Sequence, residues 1–515
     1  MNRPWMYLLV LFVFVSQLSY AQLNSDLLKR YVQSAELAKI TGISREKELK
    51  EYYSLINYNY SWIGEDNGYN RQILLKLLED AAKEGLNRKD YQAEFIEGFS
   101  SSQSLLKTAE DTVVAELKFT DAAIHFFNDF MQGNTTPDLR YDGLNYRPSC
   151  NNIPHLLAEC ITQNQLCLLD KWESKMQEII LIRKKIEQLE TLFSDGYYKE
   201  EKIISNKVSH LNKPLLKKLY YLGISEFREP GSDTMILQNV KEAKRQFSLM
   251  ADGVLRATIL AELNVPMAAR IKQLHLALNY YRWLNCLTRE MPVVVVNIPA
   301  AYMKVYDQSK VILEMRMVVG KPSTPTPTLC SRISDVILYP YWMVPKNIVN
   351  KELLSSIKRN PGFVNANNFQ IINENGKVIN PYKVDWSSMT ASNFPYRIRQ
   401  STGCDNALGL IKLDFYNPFT VYLHDTPLKS LFPLNKRYFS YGCMRMEKPM
   451  ELGHLVLKNN QIAIDTLTEK GCIYNQSPIT VKADIKMPVV VWYNPAGTDS
   501  TGRVIWYDDP YKKFR

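Results

Sequence analysis

The hydrophobic period of the chain changes once, near Met291. Before it, apolar residues recur at helical spacing. In Arg71–Glu84, Ile73, Leu74, Leu77 and Leu78 share one helix face, and Gly85 stops the run. Val113–Met131 reads the same way. Lys213–Ile224 is helical, and Asn239–Asn264 reads as two short helices split at Asp252-Gly253, after a loop at Glu229-Pro230-Gly231. Ile271, Leu274, Leu278 and Tyr281 form the apolar stripe of an amphipathic helix over Arg270–Leu284. After Met291 the runs PVVVVNI, YMKVYD, VILEMRMVVG and DVILYP predict strands separated by turns. Further strands are expected at Ala407–Leu413, Thr420–His424 and Pro488–Tyr493. Residues 341–395 break the rhythm with a short helix (KELLSSIKRN), a turn at Asn360-Pro361-Gly362 and a hairpin around Asn375-Gly376.

These shifts divide the chain into a leader (1–21), an all-α body (22–206), a small helical insertion (207–267), a helix rejoining the body (268–290) and a β-rich domain (291–515) with an inserted cap (341–395). The fold class is multidomain α+β. At roughly 100–200 residues per domain, 515 residues suit this division. Composition is that of a globular chain, 46% hydrophobic and 23% charged, which excludes a disordered or polytopic membrane protein. The net charge of +10 is mild over this length. It favours attraction to an anionic polymer or surface, and the sequence has no basic run of a nucleic-acid binder.

The leader sets the compartment. Arg3 precedes an apolar run from Trp5 to Val15, and Ser19 and Ala21 stand at −3 and −1 of a cut before Gln22, the layout of a secretory signal peptide. The run is short for a membrane span, so no stable transmembrane anchor is expected, and the mature chain belongs in a periplasm-like space. Among eight cysteines there is no CxxC and no Cys/His cluster, so neither a metal nor another cofactor is expected. Cys150, Cys160 and Cys167 lie close enough to supply one disulfide, with the pairing open. Cys286, Cys330, Cys404 and Cys472 read as buried apolar residues.

Cys443 differs. It follows Gly442 on a tight turn that can present a sulfur and leave backbone N–H groups for an oxyanion. His424 ends a strand nineteen positions earlier and can take the thiol proton. By spacing alone, a lone Cys and His in one domain are more often core residues than a catalytic pair. His125, His155, His275 and His454 read as structural or surface residues. Tyr422 and Trp342 suit either a substrate groove or the aromatic core.

The stretch His424, Ser440-Tyr441-Gly442-Cys443, Met444-Arg445 resembles the signature of the L,D-transpeptidases, which carry a YkuD-type catalytic domain. The resemblance extends to Val319-Gly320-Lys321, Thr324–Pro327, Pro340–Pro345, Tyr396–Gln400, Asn406–Gly409 and Pro488–Tyr493. Phe119–Ala122 resembles the helical scaffold of the large subtype. Leu219–Gly223, Val240–Phe247 and Asp252-Gly253-Val254 resemble the small peptidoglycan-binding module. Tyr441 departs from the usual His or Ser.

The resemblance implies Cys443 as nucleophile, His424 as base and the Asp425 main-chain carbonyl as the group that orients the imidazole. It implies an oxyanion site at the amides of Gly442, Cys443 and Tyr441, and substrate contacts at Arg445, Tyr422, Ser440 and Trp342. Arg445 could anchor a stem carboxylate or fix the Cys turn. The implied substrate is peptidoglycan, as tetrapeptide donor and acceptor stems, and cell-wall synthesis enzymes are candidate partners. Carbapenem-type β-lactams are implied acylating agents. Trimming of D-Ala, anchoring of proteins to the wall by the same acyl-enzyme, and a non-catalytic wall-binding role are the alternatives.

Overall fold

The computed structural model describes residues 25–35, 37–40, 42–64, 66–101, 106–148, 150–166, 174–194, 196–229 and 231–514. The expected leader, Cys167 and Pro230 lie outside the described residues. The side chains of residues 100, 101 and 462 are likewise not described.

Helices fill the first half. The longest early one, α1 (Ala109–Gln132), opens with a capping box in which Thr108 and Asp111 satisfy each other's backbone N–H. Its buried Glu116 accepts the backbone N–H groups of Ser61, Trp62 and Ile63 at 2.7–3.0 Å, which ties the loop before the helix Gly68–Glu79 to α1. Beyond α2 (Gln177–Phe193), the insertion forms α3 (Lys213–Tyr221), α4 (Asp233–Gln246) and α5 (Ala257–Leu263). The amphipathic stripe then becomes one 24-residue helix, α6 (Met267–Glu290), longer at both ends than the apolar stripe alone indicates. Asn279 on α6 donates to Gly85 O at 3.1 Å, and Arg282 to Glu84 O at 2.6 Å, so α6 returns to the helical body.

The β-domain is a closed ring of strands. In chain order these are β1 (Val293–Asn297), β2 (Tyr302–Asp307), β3 (Lys310–Gly320) and β4 (Leu329–Leu338). The cap then supplies β5 (Trp342–Met343), β6 (Phe369–Ile372), β7 (Val378–Ile379) and β8 (Arg397–Gln400). After it come β9 (Ile411–Phe415), β10 (Leu423–His424), β11 (Tyr438–Ser440), β12 (Met444–Met446), β13 (Ile479–Lys482) and β14 (Pro488–Trp492). The order β4-β9-β10-β12-β3-β2-β1-β14 closes because β14 also pairs with β4. Alternation sends Val294, Val296, Met317, Leu413, Leu423, Met444 and Val491 into the ring's core. On the outer face, Val293, Val295, Val490 and Trp492 are covered by a core continuous with α2–α6. The helical insertion is therefore packed on the β-domain. Arg503 Nε meets Glu242 Oε1 at 2.6 Å, and Phe247 lies 5.8 Å from Trp506, ring to ring.

The cap has its own four-stranded sheet, β5-β8-β6-β7, and its own core around Ile357, Ile371, Trp386 and Ile398. That sheet includes 397–400, just past the expected end at 395, because β8 pairs on both sides with cap strands.

The cysteines differ from expectation. Cys150 pairs with Cys286, and Cys404 with Cys472. Cys160 is buried, and with Cys150 bonded to Cys286 no bridge joins those two. The reason is tertiary: α6 brings Cys286 back to residue 150, where Arg289 also donates to Asn151. Cys330 is buried as expected. Among the described residues no helix is long and apolar enough to cross a membrane, and no group of three or more His, Cys, Asp or Glu is placed to hold a metal.

Candidate functional site

Two short strands bring His424 and Cys443 together. β10 and β12 run parallel, with Leu423 opposite Met444 and His424 opposite Arg445. Leu423 and Met444 point into the core, so Tyr422, His424, Cys443 and Arg445 share the outer face. Met444 N–H donates to Tyr422 O at 3.0 Å, which sets Cys443 beside Tyr422 and one step diagonally from His424. The Tyr422 hydroxyl hydrogen-bonds the Cys443 sulfur, and its ring lies 5.7 Å from the imidazole. Lys412, the register partner of His424 on β9, sits over the Tyr422 ring at 4.2 Å.

The turn carrying the sulfur is held from behind. Gly442 has φ +114°, a conformation that glycine alone adopts easily. Ser440 Oγ accepts the Gly442 N–H at 3.1 Å and donates to Cys443 O at 2.5 Å. Thr326 Oγ1 donates to Gly442 O and accepts from Gly320 N–H, both at 2.8 Å. Thr324 Oγ1 and the Lys321 amide both donate to Ser440 O. Gly320 is required where this loop crosses β3, since a Cβ there would stand 2.4 Å from Thr324 O.

This network revises two expectations. The Gly442 amide is committed to Ser440, so it is not a ready oxyanion donor, whereas the Cys443 and Tyr441 amides donate to no atom of the described residues. Ser440 is buried, and its hydroxyl is engaged within the turn.

His424 is buried, and its Nδ1–H donates to the Asp425 carbonyl. That fixes the tautomer and turns the lone pair of Nε2 away from Asp425. The Asp425 carboxylate is occupied elsewhere, accepting from Leu410 N–H at 2.9 Å and pairing with Lys429. Burial, then the charge of Arg445, pushes the His424 pKa down to about 3, against the smaller pull of the Asp425 carbonyl. Burial pushes the Cys443 thiol up, and the Tyr422 hydrogen bonds offset this only in part. Both shifts favour the neutral forms.

Arg445 forms no ion pair among the described residues, and its Nε is buried without a hydrogen-bond partner. Burial lowers its pKa, and the neighbouring Cys443 opposes that. Tyr441 is exposed, its ring under the Lys321 ammonium at 3.9 Å. Trp342 is part of β5 in the cap and packs toward Phe369, 6.4 Å ring to ring, in the cap's own core. Of the residues expected to contact substrate, the structure gathers Tyr422 and Arg445 beside Cys443 and leaves Trp342 with the cap. His454 pairs with Asp465 at 2.9 Å. Sequence reasoning passed over Lys412, whose alternation on β9 places it on the face of His424, and gave no role to Thr326 within the stretch Thr324–Pro327.

Residues 291–464 match the family described as L,D-transpeptidase catalytic domain, and residues 47–178 match the family described as scaffold domain. The chain thus carries a YkuD-type L,D-transpeptidase catalytic domain behind a helical scaffold domain. A Haemophilus influenzae protein named "Putative L,D-transpeptidase" is 36% identical over 220 residues, which cover 42% of this chain and 44% of that protein. The chain therefore spans less than half the length of that curated relative. Solved structures of an L,D-transpeptidase from Mycobacterium smegmatis (14% identity, TM-score 0.19, 39% of this chain and 58% of that one) and of L,D-transpeptidase 3 from Mycobacterium tuberculosis (12%, 0.19, 39% and 60%) are also similar.

Proposed function

We propose that this chain cross-links peptidoglycan by L,D-transpeptidation through a Cys443 thioester. The observation that carries the reading is the shared face of His424 and Cys443, with the imidazole's Nδ1–H tied to the Asp425 carbonyl. Burial favours the neutral form of both groups, so the thiolate forms in step with attack rather than beforehand. Nε2 takes the thiol proton as the sulfur attacks the carbonyl of the third stem residue, meso-diaminopimelate. The oxyanion falls to the Cys443 and Tyr441 amides, donors each worth about 2.7–4 kcal/mol at comparable sites. The tetrahedral intermediate collapses to the thioester. Imidazolium returns the proton to the departing D-Ala amine.

A side-chain amine of diaminopimelate on a second stem then attacks the thioester, yielding a 3→3 amide and restoring the thiol. The two substrates in sequence give ping-pong kinetics. Arg445, a cation without a carboxylate of its own among the described residues, anchors a stem carboxylate. The cap keeps water from the thioester. The chain acts in the periplasm after export by its leader, the helical insertion binds the wall, and carbapenem-type β-lactams acylate Cys443.

The test is incubation with disaccharide-tetrapeptide followed by mass spectrometry. A 3→3-linked dimer with released D-Ala is expected. Tripeptides without dimers would replace cross-linking by hydrolysis, and unchanged substrate would refute both.

A further inference from the structure

The outer face that carries Cys443 continues to a second concavity. Arg445 is the register partner of Val318 on β3, and Arg316 and Glu314 follow on the same face. Tyr302 on β2 is the partner of Arg316. Two residues along and one strand across, Arg316 stands roughly 8 Å from Arg445, Cα to Cα. Tyr302, Glu314 and Arg316 line one wall of a cavity of about 760 Å³, and Phe247 and Ala261 of the helical insertion line the other. The Glu242–Arg503 pair and the Phe247–Trp506 contact fix the two walls relative to each other. The cavity is preformed and joins the insertion to the Cys443 face.

Its chemistry selects a class of ligand. The cations around it are already spent. Lys436 pairs with Asp508 at 2.7 Å, Arg503 with Asp499 at 2.6 Å, Arg245 with Glu242 at 3.3 Å, and Arg316 with Glu447 at 3.6 Å. Arg437 donates to the carbonyls of Met317, Leu434, Ala300 and Ala301. A phosphate or nucleotide would find no free cation there. What remains are the rings of Tyr302 and Tyr507, hydroxyls, amides, and Glu314, which has no ion pair among the described residues. Flat rings beside hydrogen-bonding side chains suit a neutral pyranose with hydroxyl and acetamido groups.

We infer that this cavity binds the N-acetylated disaccharide of a glycan strand whose stem peptide reaches Cys443. The inference rests on the proposed function for its substrate. Arg316 lies four residues along and one strand across from Cys443, roughly 14 Å, a distance that three extended stem residues of about 10 Å and their link to the sugar span together. The cavity thereby measures the stem from its sugar end and presents the third carbonyl to the sulfur.

The test uses the full chain as Cys443→Ala and peptide-free peptidoglycan glycan chains, with binding read by tryptophan fluorescence and by NMR. Saturable binding is expected, weakened at least tenfold by Ala261→Trp, which fills the cavity, and at least severalfold by Glu314→Gln. The latter removes one charge without adding bulk, so it tests the site even if the tryptophan variant does not fold. No binding, or equal binding by all three proteins, overturns the inference. Acyl-enzyme formation on the wild-type chain is a separate reading. Acylation without glycan binding removes the cavity assignment alone, and cavity-dependent glycan binding without acylation upholds it while removing the catalytic proposal.

Discussion

Thr326→Val isolates the support of the catalytic turn from its chemistry. Thr326 is buried behind the turn, where its hydroxyl donates to Gly442 O and accepts from Gly320 N–H, both at 2.8 Å. Valine keeps the shape and removes both bonds. Each of the two buried polar groups left unmet costs about 1–3 kcal/mol, so the turn should lose about 2–6 kcal/mol of local stability. The chain has several domains, so a single unfolding transition is a poor measure. Native-state hydrogen exchange reads the turn directly. Protection of the Gly320 amide should fall by more than tenfold, a change of about 1.4 kcal/mol. The rate of Cys443 acylation should fall with it, because the Cys443 amide and sulfur ride on the loosened turn. Thr326→Ser retains the hydroxyl and should preserve most of the protection. Unchanged protection in the valine variant would refute the claim that this residue holds the turn.

Three further outcomes are expected. Alkylation of Cys443 by iodoacetamide should rise with pH through an inflection above the ordinary thiol value of about 8.5, since burial disfavours the thiolate; an inflection below 7 would contradict a neutral resting pair. Arg445→Gln should raise KM for tetrapeptide donors at least tenfold and leave iodoacetamide reactivity within a factor of a few, whereas an unaltered KM would remove the carboxylate anchor. Replacing Cys404 and Cys472 by serine opens a loop spanning 68 residues and should cost about 4 kcal/mol by the chain-entropy relation, read as a lowered denaturation midpoint of the cap and its neighbours; an unshifted midpoint would show that hydrogen bonds such as Asn406 to Pro340 O suffice there.

The features legible in the sequence were those carried by local pattern. The run Val293–Val296 is buried on both faces and could be little other than a strand. Gly442-Cys443 and His424 stood out because a thiol after glycine and a lone strand-end imidazole are chemically distinctive. The Asp425 carbonyl followed from the family resemblance, and the hydrogen bond to His424 Nδ1 is present. What depended on tertiary return was not legible. Cys286 and Cys472 meet partners 136 and 68 residues away, and no spacing rule reports where α6 or the segment after the cap comes back. The direction of a hydroxyl was equally hidden. Ser440 looked like a substrate contact in the motif, but its Oγ turns inward and takes the Gly442 amide. The strand 397–400 fell outside the expected cap, 341–395, because its alternation is the same in either sheet.

The central claim is that Cys443 becomes acylated by a peptidoglycan stem. Intact-mass measurement of the full chain mixed with tetrapeptide donor, quenched in acid before an acceptor can act, tests it most directly. The account predicts a covalent gain equal to the donor less D-Ala, mapped to Cys443 and absent from Cys443→Ala. A chain that releases D-Ala with no adduct, or an adduct that persists in Cys443→Ala, would contradict it.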